Sequence, residues 1–213
     1  MGYTDAFQAV VGPQSRGNGD VLVPRAGNSG EVIVGGAHAP LYEPAMRGNL
    51  FHAATAVTGV APGTAVGTTA AFSLYNPVAS GVDLVILGAR IAYVSGSLAA
   101  GVVNWVANVN RAAAATTGTA ITAVNGKLDG GVAQGKPLTT ATLPATPTVA
   151  RVAFSIPPWL ATSVSEPWSK EDCVDGSIIV PPGCTVSLEA TGGAGTTPLV
   201  VYSVLWEEVP CRS

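Results

Sequence analysis

The stretch from Ser177 to Val209, SIIVPPGCTVSLEATGGAGTTPLVVYSVLWEEV, constrains the fold more than any other part of the chain. Cys184, Val186, Leu188 and Ala190 fall on one side of an extended segment, and Thr185, Ser187 and Glu189 on the other. This is the period-two alternation of a strand with one buried face. Farther on, Val200, Tyr202, Val204 and Trp206 alternate with Leu199, Val201, Ser203 and Leu205, which suits a central strand covered on both sides. Thr191 to Pro198 is glycine-rich and polar and reads as the turn of a hairpin joining the two arms. Pro181-Pro182-Gly183 breaks the strand before them, since proline cannot donate to a ladder.

Upstream, apolar alternation recurs at the spacing of an all-β sandwich. Strands are expected at 50–57, 71–75, 83–94, 102–109, 120–125, 138–143, 149–156, 177–180, 185–190 and 199–208. Gly88 lies inside the longest of these and marks a bulge or a close backbone approach. A helix is suggested only by Arg111 to Ala115, and Thr116-Thr117-Gly118 stops it after about a turn, too short to stand alone. Pro157 to Asp175 reads as a long connection carrying Trp159, Trp168 and a cluster of charge, and long loops are often interfacial. The expected core contains Leu84, Ile86, Ile91, Trp105, Phe154, Val186, Leu188, Val201 and Trp206.

Residues 1–49 differ from the sandwich segment 50–213. GPQSRGNGD and RAGNSG are turn-rich and Ala37 to Pro44 is punctuated by proline, so this part reads as an extended N-terminal arm. Asp20 to Val23 and Glu31 to Val34 could pair as a short hairpin, or add strands to the sandwich itself. Tyr3, Phe7, Leu22, Ile33, Leu41 and Tyr42 are its large apolar residues and the expected interface anchors, together with Trp159 and Trp168.

Only 11% of the residues are charged against 47% hydrophobic, well below the usual ~25% charged. Such a surface is either small and polar or buried against other chains. With a net charge of −3, the chain lacks the basic footprint that phosphate neutralisation requires, and nucleic acid is not an expected partner. No apolar run reaches membrane-spanning length, and MGYTDAFQAV shows neither the n-region nor the h-region of a signal peptide. The three cysteines, Cys173, Cys184 and Cys211, read as reduced thiols, with a Cys173–Cys184 bridge geometrically conceivable.

The patterns that could carry chemistry are incomplete. Gly130, Gly135 and Lys136 match a phosphate-binding GxxxxGK skeleton, but Pro137 stands where Ser or Thr should follow. No GxSxG occurs, and His38 and His52 lie in or beside the arm. Glu207 and Glu208 are strand neighbours that point to opposite faces, so they cannot act on one bond together. Glu171, Asp172 and Asp175 lack the glycine and terminal glutamate of an EF-hand loop. No catalytic residue, metal or cofactor is expected.

VPPGCTVSLEA and PLVVYSVLWEEVP, with FSLYNPVASGVDLVILGARIAYVSG at 72–96, resemble tailed-phage virion structural proteins of the capsid decoration (cement) or head-fibre type. The resemblance spans roughly residues 50 to 210. It implies a jelly-roll-like β-sandwich that forms a homo-oligomer, a trimer, and binds the major capsid protein. Such a subunit is assembled in the host cytoplasm and placed on the virion surface. The alternative is a receptor- or glycan-binding module of a tail or head fibre that stacks Trp159 and Trp168 on sugars.

Overall fold

The computed structural model describes residues 39–109, 113–162, 168–193 and 195–211. Most of the arm, with Tyr3, Phe7, Leu22, Ile33 and both of its candidate strands, lies outside the described residues. The rest is a sandwich of two antiparallel sheets. In chain order the strands are β1 (Leu50–Ala54), β2 (Thr69–Tyr75), β3 (Val82–Ser97), β4 (Gly101–Asn108), β5 (Thr119–Ala120), β6 (Val124–Asn125), β7 (Lys136–Thr142), β8 (Thr148–Ile156), β9 (Ser169–Val180), β10 (Thr185–Gly192) and β11 (Thr196–Pro210). One sheet has the order β6-β1-β11-β3-β9, the other β5-β7-β2-β10-β4-β8.

A single turn of helix, α1 (Tyr42–Met46), precedes β1. Sequence reading missed it because Pro44 looks like a breaker. In a first turn, however, proline gives up no hydrogen bond, because those amides have no intrahelical acceptor. Ala113 to Ala115 of the expected helical turn are not helical, and Arg111 lies outside the described residues.

The core forms where the inner faces meet. Leu84, Ile86, Ile91, Trp105, Phe154, Val186, Leu188 and Trp206 are all buried, as expected. Val201 is not among them. It shares a face with Leu199, Ser203 and Leu205, and this outer side of β11 is only half-buried. The expected strand covered on both sides is therefore central in its sheet but packed on one face. Leu84 and Ile86 share the inner face with Ala89 and Ile91, although Ala89 follows Ile86 by an odd number of positions. A bulge at Leu87 restores the phase: Ile86 opposes Trp206, whereas Gly88 opposes Leu205. A side chain at Gly88 would stand 3.2 Å from the Asp172 carbonyl, so the expected bulge and the close backbone approach are both present.

The largest correction concerns the C-terminal stretch. Its two arms, β10 and β11, belong to opposite sheets, so the glycine-rich segment is an arch between layers and not a hairpin turn. The β3–β4 connection makes a second arch beside it: Gly192 pairs with Gly101 in one sheet and Thr196 with Ser97 in the other. The two corners touch through backbone. A Cβ on Gly195 would fall 1.9 Å from the Ser97 carbonyl oxygen, and Gly96, at φ +81°, would meet the Thr197 oxygen at 2.1 Å. Glycine is required there by close approach and, at Gly96, by the left-handed backbone.

Three further expectations are corrected. Residues 120–125 do not form one strand, because β5 and β6 are two-residue strands in different sheets. Much of the expected 157–175 connection is strand, since β9 begins at Ser169. Finally, Thr185, Ser187 and Glu189 are as buried as their apolar neighbours. Segments on either side reach over this outer face: the Gly67 amide donates to Glu189 at 2.8 Å, and Asn108 Nδ2 donates to the Ala145 carbonyl at 2.7 Å.

Burial raises the pKa of Glu189 above its ordinary 4.5, partly offset by hydrogen bonds from Ser187 and Gly67. A carboxyl whose folded pKa is raised contributes most to stability below its unfolded pKa. That contribution declines as pH rises through the folded value. Glu189→Gln should therefore melt at or above the wild-type temperature at pH 7, with the difference shrinking or reversing toward pH 4. Parallel melting curves at both pH values check this. A difference that grows on acidification would refute the assignment.

Candidate functional site

Five carboxylates, Glu171, Asp172, Asp175, Glu207 and Glu208, looked available for chemistry in the sequence, and the structure gives the two buried ones, Asp172 and Glu208, internal partners. Asp172 points into the sandwich, where Trp105 Nε1 donates to it at 2.7 Å and Arg151 forms an ion pair with it. Asp172 lies on β9 and Arg151 on β8, the last strand of each sheet on that side, so the pair ties the two sheets together. Glu208 is buried and accepts from the backbone amides of Gln134 and Gly135, at 3.0 and 2.9 Å, and from Trp206 Nε1 at 3.2 Å. The segment that resembled a phosphate loop thus directs its amides at an internal carboxylate. Lys136 is exposed, and Glu207 faces the other side from Glu208, half-buried.

The cysteines are free: Cys173 exposed, Cys184 buried and Cys211 intermediate. No Cys173–Cys184 bridge forms, because Cys173 faces outward. Among the described residues, no three His, Cys, Asp or Glu side chains gather as a metal ion would need. Likewise, no helix among them is long and apolar enough to cross a membrane.

The expected aromatic anchors are half-buried. Trp159 forms a two-way backbone bridge with Leu98, at 2.7 and 2.8 Å, and its ring packs 5.6 Å from that of Tyr93. Trp168 packs against the core, its carbonyl accepting from the Tyr93 amide, and its buried indole nitrogen has no partner. Both therefore spend part of their surface on packing against the core. Leu41 and Tyr42 flank the start of α1 and are partly exposed.

What the structure does present is a groove of about 530 Å³ on the outer face of the five-stranded sheet. Two cross-strand rows build it. Ala54, Ser203, Arg90 and Glu171 form one row across β1, β11, β3 and β9, and His52, Leu205, Gly88 and Cys173 form the other. Outward alternation on each strand sends these side chains away from the core. The small residues Ala54, Ser203 and Gly88 leave the depression, while Val57, Thr122 and Val124 rise at its sides. Arg90 and Glu171 pair at 2.9 Å at the charged end. The apolar walls lower the pKa of His52, favouring neutral imidazole.

Sequence reading singled out His52, Gly88, Cys173 and Glu171 from this set, each for a separate reason and none as part of a groove. The usable signal was the apolar outer side of β11, Leu199, Val201 and Leu205, which needs a cover. No strand next in sequence supplies the groove's walls, so its composition could not be assembled from the chain order.

Comparison with protein-family models, with curated proteins and with solved structures finds no match to this chain.

Proposed function

We propose that the chain is a structural virion protein: a jelly-roll-like subunit that oligomerises and stabilises or decorates a phage capsid by binding its major capsid protein. The observation that carries this reading is the amount of apolar side chain on the outside of an otherwise well-packed sandwich. Val57, Leu128 and Val132 are 87, 88 and 86% exposed, and the outer groove is lined mainly by alanine, valine and leucine. Contiguous apolar surface such as that of the groove marks sites of contact with other proteins. The resemblance of 72–96, 180–190 and 198–210 to decoration and head-fibre proteins supplies the capsid as the partner. Asp172, Glu189 and Glu208 already accept hydrogen bonds within the fold, which favours a structural role over an acid–base one.

The test is binding of the purified protein to undecorated phage heads alongside a panel of glycans. Binding to heads that weakens in a Leu128→Asp/Val132→Asp variant, with no glycan bound, supports the proposal. Glycan binding without head binding would replace it with the fibre-module alternative.

A further inference from the structure

The loop between β6 and β7, residues 126–135, carries Leu128 and Val132, two of the most exposed large hydrophobic side chains among the described residues. The stretch Gly126-Lys127-Leu128-Asp129-Gly130-Gly131-Val132 holds three glycines, a composition that gives a free chain many conformations. The fold allows it few. Asn125, the last residue of β6, is only 7% exposed. Its Nδ2 donates to the Gly131 carbonyl at 3.1 Å and to the Gly48 carbonyl at 2.7 Å, and its Oδ1 accepts from the Lys127 amide at 2.9 Å. One carboxamide, offering two donors and an acceptor on one planar group, thus joins both limbs of the loop to each other and to the turn before β1.

Gly130 shows how closely the loop is drawn in. A Cβ there would stand 2.4 Å from Asn125 Cγ. The Gly130 amide closes the tip on the Lys127 carbonyl at 2.6 Å, and the Gly126 amide donates to the Leu50 carbonyl at 2.7 Å. On the far limb Ala133 is buried, and the next two amides are fixed on Glu208. Leu128 and Val132 therefore project from a tip anchored at both ends. Lys127 and Asp129, on either side of Leu128, pair with each other at 3.6 Å, and positions 130 and 131 carry no side chain, so the tip is narrow, convex and without net charge. Its complement is a concave apolar pocket on a protein. A bilayer is a poorer match, because interfacial insertion relies on aromatic rings and free basic residues, and the tip has no aromatic residue and its one lysine is paired.

We infer that Asn125 is a positioning residue for the capsid contact: it holds the 126–132 tip in one conformation, so that Leu128 and Val132 enter an apolar pocket of the capsid protein already ordered. The inference rests on the reading of the chain as a capsid-binding subunit. A tip ordered in advance avoids the entropy cost of fixing it on binding.

The test is the kinetics of full-length protein binding to undecorated heads, with thermal melting and amide exchange recorded for each variant. Leu128→Asp removes an anchor and should weaken binding at least about tenfold, mainly through faster dissociation. Asn125→Ala should weaken it by about tenfold through slower association, since only the fraction of tips in the competent conformation can dock. Its Lys127 amide should exchange faster while the melting midpoint stays near wild type. Should Asn125→Ala fail to fold, Gly130→Ala decides, because its Cβ drives the tip off Asn125 and slowed association is again expected. Association as fast as wild type in the folded variant, or a loss of binding that only tracks a loss of stability, would overturn the inference. So would binding of neutral or anionic lipid vesicles that Leu128→Asp abolishes, or self-association that Leu128→Asp weakens. A wild type that binds no heads, with its Lys127 amide protected only when Asn125 is present, would instead overturn the capsid reading, and the contact with it.

Discussion

Trp206→Ala is expected to be among the most damaging single substitutions in this sandwich, costing about 3–5 kcal/mol. Trp206 is fully buried in the centre of β11, and its ring stacks on Phe51 with centroids 5.9 Å apart. β1 and β3 flank it, opposing it with Phe51 and Ile86. Backbone on three adjacent strands cannot collapse into the space the indole leaves, so most of the cavity persists. For a domain of this size the melting temperature should fall on the order of 10 °C. Thermal or urea melting decides it, and an unchanged midpoint would show that Trp206 is not packed as described.

Glu208→Ala should cost about 3 kcal/mol, by a different route. The carboxylate receives three donors, the Gln134 and Gly135 amides and the Trp206 indole. Removing it leaves them short of an acceptor in a buried place, where each unsatisfied group costs roughly 1–3 kcal/mol before relaxation. Glu208→Gln keeps one acceptor oxygen but turns an NH2 toward a donor, so it should fall between wild type and alanine. Hydrogen exchange at Gln134 and Gly135 should quicken in both variants. Because Trp206 and Glu208 share a hydrogen bond, the double variant should lose less than the sum of the single losses. Strict additivity would mean that the two residues stabilise the fold independently.

Fold class was readable because alternation survives wherever one face of a strand is buried. Leu84, Val186, Leu188 and Trp206 announce the core without any knowledge of pairing. The onset of β9 at Ser169 was hidden, because Ser-Lys-Glu-Asp-Cys-Val-Asp looks like solvated loop until Arg151 and Trp105 are known to meet Asp172 inside. The arch was hidden for a related reason. Residues 184–190 and 200–206 alternate identically whether the chain turns back within one sheet or crosses to the other, and only contacts such as Gly195 against Ser97 distinguish the two. The groove was least legible, since Ala54, Ser203, Arg90 and Glu171 come from four strands scattered from residue 50 to residue 210.

The strand order also bears on when this protein can fold. None of the described strands pairs with its immediate neighbour in sequence, so no local hairpin is available as an early nucleus, and non-local pairing of this kind folds slowly. The central position in the five-stranded sheet belongs to β11, which ends at Pro210 and holds β1 and β3 apart. During synthesis, the strands made first must wait for the one made last. Until the residues of β11 clear the ribosome, β1 and β3 lack the partner that lies between them, and a chain released before Leu199 would expose both.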